Sequence, residues 1–221
     1  MKKIFTVAFA LFLFIISFAE KTRVTTLDNP KDSTRYSRWM GFKRIDFKVA
    51  GRACLLVEPV QSAAGRPWIW RTEFFGHEPQ GDSSLAAKGF YVVCMNLQDM
   101  YGAPVSLDLM DKFYDYLTGH KGLNSKTVLE GFSRGGLFAF NWAARHPDRI
   151  NCLYVDAPVC DFKSWPGGKG KSPGSPEDWE KLKKIYGRSR DRRCPREDQE
   201  TKSRLACWER WTQSKIDLPG C

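Results

Sequence analysis

The chain has 221 residues, of which 42% are hydrophobic and 14% aromatic, and it carries a formal net charge of +10. That apolar content excludes an intrinsically disordered chain and is enough for one sizeable core, and the length favours a single domain over two. The positive balance reads as a solvated basic surface rather than a nucleic-acid footprint, because no basic-and-aromatic repeat or recognition helix accompanies the nine Lys or Arg and six Asp or Glu found from Arg188 onward.

Met1-Lys2-Lys3, the apolar run Ile4 to Phe18 and the small-residue exit at Ser17-Phe18-Ala19 have the layout of a secretory signal peptide over residues 1–19. The run is shorter than the ~20 residues a spanning helix needs, so a secreted or periplasmic protein with no stable membrane anchor after signal removal is expected. The seven cysteines are odd in number and show no C-x-x-C spacing. They read as neither a disulfide framework nor a metal site.

Glu20 to Trp39 is polar and turn-rich, a lead-in with little core. Phe42 to Val49 alternates apolar and polar, Ala50-Gly51-Arg52 turns, and Ala53 to Val60 resumes, which predicts a hairpin. Arg66 to Arg71 is a third strand, Ser83 to Lys88 part of a helix, and Phe90 to Asn96 a fourth strand, apolar on both faces as a central parallel strand must be. Ser106 is placed to cap a helix whose apolar positions Leu107, Met110, Phe113, Tyr114 and Leu117 form one stripe. Thr127-Val128-Leu129 is a buried strand, Gly136 to Arg145 a buried helix, and Asn151 to Asp156 a sixth strand. Ser175, Pro176 and Asp178 mark the start of another helix, with Gly187 as its stop. The expected class is α/β: a mostly parallel sheet with helices on both faces, in a domain spanning 20–187. Residues 188–221 match neither period and read as an atypical tail, disordered or frameshifted.

The most informative stretch is Gly131-Phe132-Ser133-Arg134-Gly135, wedged between a strand and a helix. A serine in so tight a turn has its hydroxyl lifted clear of the backbone, which makes Ser133 the candidate nucleophile, against the plainer reading of a serine in an ordinary βα turn. No G-x-G-x-x-G follows the first strand, which argues against a dinucleotide-binding fold, and no cofactor is expected.

With this elbow and order of elements, residues 42–187 resemble the α/β-hydrolase superfamily, and more closely its secreted bacterial serine hydrolases of esterase or prolyl-oligopeptidase-like type. The resemblance implies that Ser133 forms an acyl-enzyme and that the backbone N–H of Arg134, with one from Arg71 or Thr72, holds the oxyanion. It implies a small-molecule or carbohydrate ester substrate and no nucleic-acid partner; for the non-catalytic alternative below, Trp68, Trp70 and Trp165 suggest a carbohydrate ligand. It also requires an acid and a histidine downstream of the serine. Asp161 is the best acid offered and Asp99 the second, and either also reads as a loop carboxylate. His146, the one histidine after Ser133, stands a helix-length away, and His120 sits in a surface-like turn. His77 is the remaining candidate base, with a structural or substrate-contact role as its rival. The missing histidine leaves two readings: a truncated or frameshifted hydrolase lacking the part that carries the acid and base, with impaired catalysis and a sheet incomplete at its C-terminal edge, or a non-catalytic secreted binding protein of the same fold.

Overall fold

The computed structural model describes residues 34–171 and 173–193. Strand β1 (Arg35–Trp39) pairs antiparallel with β2 (Phe42–Val49), and β2 pairs antiparallel with β3 (Arg52–Glu58). The β2–β3 hairpin is the predicted one. Its turn places Ala50 at φ 49° and Gly51 at φ 76°, the doubly left-handed geometry whose twist matches that of the flanking strands. Strand β1 was read as lead-in. Four of its five residues are exposed, so it carries no alternation for a sequence reading to find.

The chain continues through β4 (Trp68–Arg71), α1 (Gln80–Ala87), β5 (Tyr91–Met95), α2 (Pro104–Gly119), β6 (Thr127–Phe132), α3 (Gly135–Arg145), β7 (Ile150–Asp156) and α4 (Pro176–Arg193). These strands form one sheet in the order β1-β2-β3-β5-β4-β6-β7. From β5 to β7 all neighbours are parallel, as expected of βαβ units, while β3 meets β5 antiparallel. From β4 the chain steps to one side to form β5 and then crosses back to form β6 on the other side. The junction of β4 and β6 is therefore the topological switch point, where open α/β sheets bind ligands.

One face of the sheet packs Trp70, Val93 and Leu129 against Met110, Phe113 and Trp142 of α2 and α3. The other packs Val57, Ile69 and Val92 against Ala86 and Leu85 of α1. Helices thus lie on both faces, and alternate residues of β4 and β6 face opposite layers. Among the described residues β7 is the outer strand at this end of the sheet, with Tyr154 56% exposed.

Two helix ends differ from the sequence reading. Helix α2 begins at Pro104 after Ala103, and Ser106 lies inside its first turn, donating its hydroxyl back to Ala103 O at 2.7 Å. Pro104 at the first position, preset to helical φ, is the stronger start signal. Helix α4 begins as predicted, with Asp178 N–H donating to Ser175 Oγ at 3.3 Å and the Ser175 hydroxyl donating to Asp178 Oδ2 at 2.6 Å. It then runs through Gly187 to Arg193; an interior glycine costs a helix about 1 kcal/mol without ending it. Residues 1–19, expected to be a signal peptide, and residues 194–221 lie outside the described residues.

Candidate active site

Ser133 follows β6 at φ +49°, a left-handed conformation that costs a non-glycine residue about 1–3 kcal/mol and persists only where the surroundings impose it. Here three backbone bonds do so: Ser133 N–H donates to Asp156 O at 3.0 Å, and Ser133 O accepts from Gly136 N–H at 3.0 Å and Val159 N–H at 2.8 Å. The glycines are fixed by contact. A Cβ on Gly131 would stand 3.0 Å from Ala139 Cβ, one on Gly135 2.9 Å from Thr72 Oγ1, and one on Gly136 2.7 Å from Pro158 Cβ. Helix α3 can reach the strand end so closely only because these positions have no side chain. The turn read from sequence is present, and the strand, the serine and the helix sit at the switch point.

The sequence reading places a second oxyanion donor at Arg71 or Thr72, and for Thr72 the geometry corrects this. Thr72 N–H is already engaged, donating to Glu130 O at 3.1 Å, and the Thr72 hydroxyl lies 2.9 Å from both Glu130 O and Gly135 O. Arg71 lies inside β4. Its guanidinium is buried, with Nη1 2.6 Å from Asp82 Oδ2 and Nη2 donating to His77 O at 2.6 Å. The backbone N that does approach the elbow belongs to Glu73, 3.6 Å from the position a Gly135 Cβ would take.

Glu73 is a site residue that the sequence reading missed. It is 6% exposed, and its Oε2 lies 2.7 Å from Arg134 Nε. Burial lifts its carboxyl above the usual range, while the Arg134 guanidinium pulls the other way. Arg134 also lies over the Phe74 ring, 5.2 Å from its centroid, with Nη1 3.9 Å from Asp178 Oδ1. Asp178 in turn accepts from the Tyr101 hydroxyl at 2.5 Å. Glu73, Phe74 and Arg134 line an open cleft of about 540 Å³, together with Arg44, Asp46 and Asn96.

A second buried charge cluster backs the loop after β4. Arg71 Nη1 is 3.5 Å from Glu130 Oε1 as well as being paired to Asp82. Burial, reinforced by the nearby Asp82, pushes the Glu130 carboxyl up to about 7 against the pull of Arg71. No sequence signal marks this cluster, because its members come from β4, α1 and β6 and meet only in the fold.

The other candidates are dispersed. His77 is exposed, with its ring 5.0 Å from the Phe132 ring, and no hydrogen bond joins it to Ser133 or to an acid among the described residues. Asp161 is exposed and its Oδ1 accepts from Lys163 N–H at 2.8 Å, so it organises its own turn. Asp99 Oδ1 lies 3.4 Å from the Tyr101 hydroxyl, whose proton goes to the nearer Asp178. His146, at the far end of α3, lies 2.7 Å from Asp111 Oδ1, and His120 ends α2 against Tyr116. Trp68 and Trp70 are each 1% exposed in the core, which removes them as ligand platforms; central strands covered on both faces leave aromatic rings no solvent side. Trp165 packs near Tyr101, with 6.4 Å between ring centroids.

The family profile of the alpha/beta hydrolase fold matches residues 63–204 of the 221, and the chain belongs to that family. Over 86 residues it is 35% identical to the pimeloyl-[acyl-carrier protein] methyl ester esterase of Chromobacterium violaceum, a match covering 36% of this chain and 33% of that protein. The chain thus spans about a third of the length of this curated relative. Among solved structures it is similar to an S-formylglutathione hydrolase from Agrobacterium tumefaciens, with 16% identity, a TM-score of 0.47, and 67% of this chain and 71% of that chain covered. It is also similar to a cold-adapted esterase from an Arctic intertidal metagenomic library, with 14% identity, a TM-score of 0.44, and 55% and 61% covered.

Proposed function

We propose that this chain is an exported serine hydrolase that cleaves an ester or related acyl bond of a small-molecule or carbohydrate substrate through Ser133. The observation that carries this reading is the positive φ of Ser133 at the end of a central parallel strand, held by three backbone bonds. Ser133 Oγ attacks the acyl carbon, the bond to the alcohol breaks, and the hydroxyl proton leaves with the alcohol. Water then releases the acid and restores the serine. The N–H groups of Arg134 and Glu73 stabilise the oxyanion; one such donor is worth about 3 kcal/mol of barrier in related chemistry. With no histidine hydrogen-bonded to Ser133 among the described residues, catalysis rests on these donors and on binding, which alone supply about 10³–10⁴ over water.

The same lack of a bonded histidine favours the second reading, a non-catalytic binding protein of this fold. An alkyl fluorophosphonate separates the two. Labelling of the intact chain that disappears in Ser133→Ala supports the hydrolase; a folded sample that takes no label supports the binder.

A further inference from the structure

We propose that Glu73 is a positioning residue for the oxyanion site, its carboxylate clamping the Arg134 side chain so that the two residues whose N–H groups face the oxyanion are locked to each other. This rests on the serine-hydrolase reading above. The two donors come from separate elements, the loop after β4 and the N-terminus of α3, and no strand ladder joins residue 73 to residue 134. Their side chains make that connection instead, through a charge-assisted bond of 2.7 Å whose partners are only 7% and 19% exposed.

The surroundings brace each half. Behind Glu73, Thr72 bonds to the carbonyls of Glu130 and Gly135. After Glu73, Phe74 turns at φ +55° and its ring lies under the Arg134 guanidinium. Further along the loop, Arg71 holds His77 O. Arg134 itself is at φ −64°, ψ −14°, already helical, so its backbone belongs to the start of α3, while its guanidinium is held by Glu73 and the Phe74 ring. The pairing also has an electrostatic consequence. A lone carboxylate beside a developing oxyanion would oppose it, whereas one neutralised by Arg134 does not.

A displacement of about 1 Å at such a site costs on the order of 10²-fold in rate. The test measures the second-order rate of phosphonylation of Ser133 by an alkyl fluorophosphonate, split into its binding constant and its limiting rate. The intact chain is compared with Glu73→Gln, Glu73→Asp and Arg134→Lys, with unfolding followed for each. The expected result is a limiting rate about ten- to a hundred-fold lower in all three, with the binding constant little changed. Glu73→Asp keeps the charge and guards against loss of fold in Glu73→Gln. A folded variant that reacts at the full rate overturns the clamp and leaves the hydrolase reading standing. So does a change confined to the binding constant, which would make Glu73 a substrate contact. A folded parent chain that takes no label overturns both.

Discussion

The hydroxyl of Thr72 lies 2.9 Å from Gly135 O, and at the same distance from Glu130 O, so one short side chain ties the end of β4 to both sides of the turn that carries Ser133. A hydroxyl has one proton and donates to one carbonyl at a time, so the two acceptors share it.

Replacing Thr72 with valine keeps the shape and removes that donor. Glu130 O keeps the backbone N–H of residue 72, so the loss is that of one buried hydrogen bond, about 0.5–1.5 kcal/mol, and Thr72→Val is expected to lower the urea midpoint with an unchanged slope. Labelling of Ser133 should slow as well. A variant as stable as the parent would show that neither carbonyl depends on the hydroxyl.

Gly136→Ala places a methyl 2.7 Å from Pro158 Cβ and 2.9 Å from Val159 O, contacts that no real Cβ tolerates. Either α3 or the loop after β7 must yield, at a cost of about 1–3 kcal/mol. Thermal unfolding would register it directly. An alanine variant with an unaltered Tm contradicts the packing described.

The sharp turn at Ser133 was legible in the sequence because its glycines are demanded by close approach, and such positions leave a fixed pattern. The hairpin and the parallel strands were legible for a related reason: β2 alternates and β5 is buried throughout, so each shows the period its environment imposes. Strand β1 has one environment on both faces and shows none. Glu73 was missed because a charged residue just after a strand looks like a loop residue. Its burial follows from Arg134, distant along the chain and adjacent in space. Trp68 and Trp70 were misassigned for the opposite reason, since nothing in a run of aromatic residues says that both sheet faces will be covered.

Arg71→Met should be severely destabilising, by about 3–5 kcal/mol, because it leaves the Asp82 carboxyl, 1% exposed, with its partner gone. Converting Asp82 to leucine in the same chain removes the stranded carboxyl and should recover much of the loss. Chemical denaturation of the single and double variants checks this; a double variant no better than the single would place the energy in the contacts of Arg71 with Glu130 and His77 O instead.

Stability should fall as pH rises from about 4.5 towards 7. Glu130 has an ordinary value of 4.5 and is pushed up to about 7 in the folded chain, chiefly by burial. Between those values the unfolded chain has released the proton while the folded one retains it, so the folded state binds more protons and loses ground as they become scarce. In Glu130→Gln this slope should flatten. Denaturation midpoints taken across that window test it, and a parent whose stability climbs over the same interval would show that Glu130 is ionised throughout.

The carboxylate of Asp178 completes the hydrogen-bonded start of α4, receives the Tyr101 hydroxyl and lies within 4 Å of the guanidinium next to Ser133. A helix entering late in the chain and the bend that carries Ser133 are therefore joined through a single acidic group. Whatever tilts that helix, whether crowding, a bound molecule or a change in its own cap, reaches the bend without passing through the sheet.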